Sequence, residues 1–334
     1  MSTELPSLDL GEIRQVAATL APHLVRTPVT PLQGHTLNAL LDPATRVHLK
    51  LELFQKTGTF KARGALNVAM QLTPEALARG VTAVSAGNHA VAAAFAAQAV
   101  GASAKVVVQR TANPARLAAA RGYGAEIVLA DDGTQAFAEM DRIVSEEGRT
   151  AIHPFEGLHT SLGTATLGLE FIEQVPDMDA VIIAVGGGGL ASGAAAAIKE
   201  VHPDCAVYGV EPVGAAVMRL SFDQGEAMRL PEPPRSVADS LAPPMTLPMS
   251  YGLCRRYLTD VVTVSDDEIC RALAVLFRDG KLAVEPAAAA ALAALLGPLR
   301  ETLAGKRVGL VVCGANLDHA TYADLLAKGE AMLG

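Results

Sequence analysis

From Val81 onward, short runs of apolar and largely β-branched residues alternate with stretches whose apolar positions recur at helical spacing. VTAVS leads into an alanine-rich stretch ending at Val100; KVVVQ follows, then a helical stretch over residues 114–122, then EIVLA. This alternation predicts a repeated strand–helix–strand unit. A second series follows Pro176, with VIIAV, a helix over residues 190–200, AVYGV, and RVGLVVC before a last helix. Fully apolar strands separated by helices imply parallel sheets covered on both faces, so the fold class is α/β with two lobes. Further helices are predicted over residues 265–279 and, opened by Glu285 and Pro286, across an alanine run to Leu296. Residues 224–249 carry six prolines and little periodicity, which predicts a long surface loop. No solenoid repeat is visible.

Composition sharpens this picture. At ~100 to 200 residues per domain, 334 residues suggest two domains. Half the residues are hydrophobic and 19% are charged, which excludes a disordered chain. Aromatics make up 4% with no Trp, and the net charge is −8, so neither a base-stacking platform nor a phosphate-backbone binder is expected. Cys205, Cys254, Cys270 and Cys313 are far apart and form no C-x-x-C pair, which speaks against a zinc site or disulfide framework and for a reducing cytoplasm. The N-terminus shows no signal peptide or lipidation motif. Residues 180–198 form an uncharged run of membrane-span length, but four central glycines make strand, turn and small-residue helix the better reading, so no membrane is expected.

Four constellations carry candidate chemistry. In TGTFKARGA, Lys61 is expected at a helix start beside Arg63, an arrangement that disfavours its ammonium form; the alternative is a solvated surface lysine. In VGGGGL, a strand ends in a glycine turn and a helix begins, which makes a cradle for a phosphate. Gly186, Gly188 and Ala191 also satisfy G-x-G-x-x-A with Glu211 about 20 residues on, so a Rossmann NAD site and a nicotinamide-dependent oxidoreductase stay open. Ser85, Ala86, Gly87, Asn88 and His89 follow strand VTAV, as a pocket for a substrate carboxylate or as an ordinary N-cap by Ser85 or Asn88. His89 itself reads as a packed histidine. Cys313 ends the last apolar strand, where a buried thiol is usually a small hydrophobe.

Together these motifs resemble the fold type II pyridoxal phosphate (PLP) enzymes, specifically the serine/threonine dehydratase and serine racemase family. TGTFKARGA is similar to the Schiff-base lysine motif, SAGNHA to the carboxylate-binding loop, VGGGGLASG to the tetraglycine phosphate loop and VVCGAN to the terminal S/C-G-G/A-N motif, all in the family's order over about residues 26–318. The resemblance implies a two-domain, tryptophan synthase β-like fold with open, twisted, mostly parallel sheets flanked by helices. Residues 1–66 and 152–334 would form the large PLP-binding domain and 67–151 a small mobile domain. Lys61 would hold PLP and act as the catalytic base, Phe60 would pack against the ring, Asn88 would bond the 3′-oxygen, Gly186, Gly187, Gly188, Gly189 and Leu190 would hold the phosphate, and Cys313 would face the pyridine nitrogen. Ser85, Ala86, Gly87, Asn88 and His89 would bind the substrate.

The resemblance implies dehydration and deamination of a small L-β-hydroxy-amino acid to a 2-oxo acid and ammonia, in a cytoplasmic homo-oligomer. Racemisation or β-replacement is the alternative within PLP chemistry. Ala86 replaces the serine that serves racemases as second acid/base, which favours elimination. The family's cation site maps to Glu211, Ala215 and Val217; with Val217 in place of an Asp, K⁺ is a better candidate than a divalent ion.

Overall fold

The computed structural model describes residues 5–85, 87–110 and 114–334. Among these, the apolar runs form strands β1 (Val29–Leu32), β2 (Arg46–Leu51), β3 (Val81–Val84), β4 (Ala104–Gln109), β5 (Glu126–Ala130), β6 (Thr150–Ala151), β7 (Ala180–Ala184), β8 (Ala206–Pro212), β9 (Asp260–Val264) and β10 (Arg307–Val312). They build two sheets, one of six strands in the order β1-β2-β10-β7-β8-β9 and one of four in the order β5-β4-β3-β6. Every pairing is parallel except β1 with β2 at an edge, where Pro31 is tolerated. The larger sheet draws strands from both ends of the chain and the smaller one from the segment between them. β7 is buried along its whole length, as a central parallel strand covered by helices must be.

The uncharged run is β7, a turn and the helix Gly189–Val201, and no helix among the described residues is long and apolar enough to cross a membrane. The other helices start where local chemistry dictates. Ser265 and Glu268 form a reciprocal capping box at Asp266–Arg278, and Pro286 opens Pro286–Leu296 from its first turn.

The proline-rich stretch departs from expectation only at a few buried positions. It has no strand and only a short 3₁₀ turn (Asp239–Leu241) before Pro248 opens the helix Pro248–Tyr257, and most of it is exposed or half-buried, as a surface loop should be. Ala238, Leu241 and Thr246 are buried. Prolines deny the backbone a hydrogen-bond ladder, while these three side chains still leave water.

Three helices meet without intervening side chains. A Cβ on Gly163 of Leu158–Gln174 would lie 2.5 Å from the Arg63 carbonyl oxygen of Lys61–Met70. One on Gly168 would lie 2.3 Å from the Ala194 carbonyl, and one on Gly193 of Gly189–Val201 2.0 Å from the Ser161 carbonyl. No side chain fits at such distances, so these backbones touch directly. Beside this contact, buried Arg63 pairs with Glu52 at 2.8 Å and Glu170 at 2.9 Å, while buried Lys50 reaches Glu170 at 2.8 Å. Two cations face two carboxylates, the balance a buried ionic group requires.

Candidate active site

Lys61 is the first residue of its helix, as expected, and is half-buried. Its Nζ donates to the Pro154 carbonyl at 3.0 Å and lies 5.0 Å from the centre of the Phe60 ring. Burial pushes the ammonium down to about 8, against the opposing pull of Cys313 and Glu285. The expected role of Arg63 in this shift is not observed. Residues two apart on a helix point in different directions, and Arg63 faces Glu52 and Glu170.

At the end of β3, Ser85 Oγ accepts from the Gly87 N–H at 3.0 Å. The helix Asn88–Ala99 begins at Gly87 with no side-chain cap, so the N-cap alternative for Ser85 or Asn88 is not realised. Asn88 instead donates from Nδ2 to both oxygens of Glu285, at 3.1 and 2.9 Å, and its Oδ1 accepts from Asn316 at 2.9 Å. Asn316 in turn donates to the Thr57 carbonyl at 2.8 Å. His89 is buried with Nε2 2.7 Å from the Ile152 carbonyl oxygen, and burial drives its pKa down to about 3, so it is a neutral packed ring. Ala86 lies outside the described residues.

The glycine turn after β7 is oriented by its carbonyls. Those of Gly187, Gly188 and Gly189 accept from Thr246 at 3.0 Å, Cys254 at 3.7 Å and Thr164 at 2.7 Å. Because each peptide is planar, fixing those carbonyls also fixes the N–H groups that follow them. The first intrahelical bond is Ser192 N–H to Gly188, which leaves Gly189, Leu190 and Ala191 with N–H groups unpaired within the helix. Gly188 holds φ +102°, and a Cβ on Gly187 would strike the Phe155 ring at 2.3 Å. These glycines are therefore required by the protein's own packing as well as by any ligand.

At the end of β10, Cys313 is buried, and burial with Glu285 nearby holds its thiol well above the usual range, neutral. Its carbonyl accepts from the Phe60 N–H at 3.1 Å, which joins the lysine turn to the sheet.

Lys61, Ser85, Gly87, Asn88, His89, residues 186–190 and Cys313 all line one cavity of about 830 Å³. Three of the constellations reach it from the carboxyl ends of β3, β7 and β10, the usual ligand position in open α/β sheets. An anion cradle, a desolvated amine, an amide of fixed orientation and a neutral thiol around one cavity fit a phosphorylated pyridine aldehyde.

Sequence reasoning missed Glu285, Arg116 and Asp239 as cavity residues, and the wall formed by Leu241, Pro243 and Pro244. Glu285 was legible only as a helix opener. Burial pushes its carboxyl up to about 7. Glu211 and Ala215 do not line the cavity. The Glu211 carboxylate accepts the Met218 and Arg219 N–H groups at 2.8 and 2.7 Å, so it tethers the start of Val217–Gln224 and is neither an exposed strand-end acid nor a ribose ligand at the glycine turn. Among the described residues no group of three or more His, Cys, Asp or Glu is arranged to hold a metal ion.

Residues 20–314 match the family described as "Pyridoxal-phosphate dependent enzyme". The chain is 53% identical to a phenylserine dehydratase of Ralstonia pickettii over 98% of both sequences. It is 34% identical to an L-threonine ammonia-lyase of Thermotoga maritima, covering 96% of this chain and 79% of that one. Among solved structures, maize serine racemase superposes with a TM-score of 0.88 at 33% identity, covering 97% of this chain and 99% of that one.

Proposed function

This chain belongs to the pyridoxal-phosphate dependent enzymes, and from that premise we propose that its cavity converts a small L-β-hydroxy-amino acid to the 2-oxo acid and ammonia, accepting an aryl group on the β-carbon. It is a lyase of the dehydratase and ammonia-lyase kind. The observation that carries the reading is a half-buried lysine amine with a pKa lowered to about 8, in one cavity with an uncapped glycine-rich helix start. The aryl preference follows from the phenylserine dehydratase and from the apolar wall of Leu241, Pro243 and Pro244.

PLP would be held by Lys61, by the backbone at residues 186–190, by Asn88 and by Cys313, with Phe60 against its ring. When bound, it draws electrons from the substrate's α-carbon. Lys61, easily deprotonated where it lies, takes the α-proton. Cys313, acceptor or weak donor but not an anion, would face the pyridine nitrogen without a carboxylate's charge, which would favour prompt loss of the β-hydroxyl. Ser85 and residues 87–89 receive the α-carboxylate. Racemisation would need a second proton donor, and at the position that the resemblance assigns to it this chain has an alanine, Ala86.

Residues 67–151 would be the mobile domain of a homo-oligomer in the cytoplasm, where four free buried cysteines stay reduced. K⁺ at Glu211 and the Ala215 carbonyl belongs to the same proposal. The test is ammonia release from L-serine, L-threonine and L-threo-phenylserine, with and without K⁺, by wild type and Lys61→Ala. Wild type should act fastest on phenylserine, and the variant should stay folded yet lose the visible absorbance of bound cofactor and nearly all turnover. Full activity in Lys61→Ala would reject the scheme.

A further inference from the structure

We propose that Arg116 is the counter-ion of the substrate's α-carboxylate, held at the mouth of the cavity by Asp239 and the Asn316 carbonyl. This deepens the reading above and rests on it.

Ser85, Asn88 and His89 give an incoming carboxylate only neutral groups, since burial keeps the His89 ring uncharged. Lys61 is committed to the cofactor. Arg116 is then the remaining permanent cation among the described residues that line the cavity. It also stands in the right place. A Cβ on Gly87 would come within 3.3 Å of Arg116 Nη1, so the guanidinium lies against the bare face of the glycine at the centre of the carboxylate-binding loop.

The way Arg116 is held supports the same role. Nε donates to the Asn316 carbonyl at 3.1 Å, Nη1 to Asp239 Oδ2 at 2.7 Å and Nη2 to Asp239 Oδ1 at 3.4 Å. The arginine side chain is 9% exposed, whereas that of Asp239 is 59% exposed. Despite burial, that carboxylate, with Glu285 and Asp318 farther off, holds the guanidinium's pKa above its ordinary value, so the cation stays charged where it lies. Three of the five guanidinium N–H groups are engaged by Asp239 and Asn316, and a substrate carboxylate arriving from the cavity side meets a largely buried cation with N–H groups still to give. Arg116 comes from the helix Pro114–Gly122, which connects β4 to β5 of the smaller sheet, whereas Asp239 and Asn316 belong to the chain of the larger one. The substrate's carboxylate therefore binds where the two units meet.

The test uses the holoenzyme and two probes that lack a β-hydroxyl, L-alanine and L-alaninamide, which differ in the carboxylate alone. Binding is followed by titration calorimetry, and bound cofactor separately by its visible absorbance. In Arg116→Gln, L-alanine should bind at least about tenfold more weakly, the loss expected for one charge-assisted hydrogen bond, while L-alaninamide changes less than about twofold and cofactor absorbance is retained. Arg116→Lys should show a smaller loss in the same ratio, because it keeps the charge and loses the planar fork; it also carries the test should the glutamine variant fail to fold. An unchanged ratio of the two affinities in both variants would overturn the proposal and leave Arg116 a structural cation. A wild type that retains no PLP would overturn the amino-acid reading itself, an outcome the absorbance distinguishes.

Discussion

Asn88 has its amide oriented from both sides, by Glu285 at Nδ2 and by Asn316 at Oδ1. Replacing Glu285 with Gln keeps the volume but puts an amide nitrogen where Asn88 needs an acceptor, so one buried donor is left unpaired or the amide turns over. We expect Glu285→Gln to weaken PLP retention about fivefold or more, as the ~1 to 3 kcal/mol of a buried donor left unpaired implies, with the fold retained. Absorbance of bound cofactor against PLP concentration measures it, and unchanged retention would show that Asn88 orientation does not matter. Lys61, Asn88 and Cys313 were legible because each stands in a short motif that resembles the family's, at a point where a run of one periodicity gives way to another. Glu285 was not, because its partner lies 197 positions away and its local role, opening a helix, accounts for it fully at short range. Arg63 misled for the converse reason: it neighbours Lys61 in sequence but points into the buried network.

The glycine turn joins element to element through Phe155. The close approach of a phosphate was the reason the sequence suggested for its glycines, but the Phe155 ring lies 2.3 Å from where a Cβ on Gly187 would stand. Gly187→Ala should therefore destabilise the chain even without cofactor, by the ~1 to 3 kcal/mol of an overpacked core. In the Phe155→Ala background the same change should cost less than half as much, since the clash has been removed. Thermal unfolding of the four apoproteins checks this; equal costs in both backgrounds would mean that the turn yields elsewhere. Strand and helix limits were readable because parallel strands buried on both faces leave unbroken apolar runs, as VIIAV does in β7. The proline-rich stretch showed that no regular element would form there, but lack of periodicity says nothing about burial, and so Leu241 in the cavity wall went unseen.

Across the whole molecule, four buried groups set opposing dependences of stability on pH. Burial pushes His89 and His153 down to about 3 and about 4, so they fold neutral. The unfolded chain protonates these histidines below ~6.5, so their contribution is present above that pH and is lost as pH falls toward the folded values. Burial pushes Glu285 and Glu211 up to about 7 and about 8. Their contribution is complete below the unfolded value of ~4.3 and is lost as pH rises through the folded values. Between roughly pH 4.5 and 6.5 the two slopes, each at most ~1.4 kcal/mol per unit for a single group, run in opposite directions. The melting temperature of the apoprotein should be flat there and decline on either side; a steady climb to pH 8 would show that the glutamates fold ionised. The direct backbone contact at Gly163, Gly168 and Gly193 has a consequence for how such a molecule can diverge by descent. A side chain added at Gly163 pushes the lysine helix off Leu158–Gln174, and one at Gly168 or Gly193 pushes the anion-cradle helix off that same helix, so that route of drift is closed. Residues 237–244 are tied into no sheet ladder, and mutations there alter what the cavity admits while the chemistry stays where it is. New appetites in a lineage with this frame should arise by rewriting that wall.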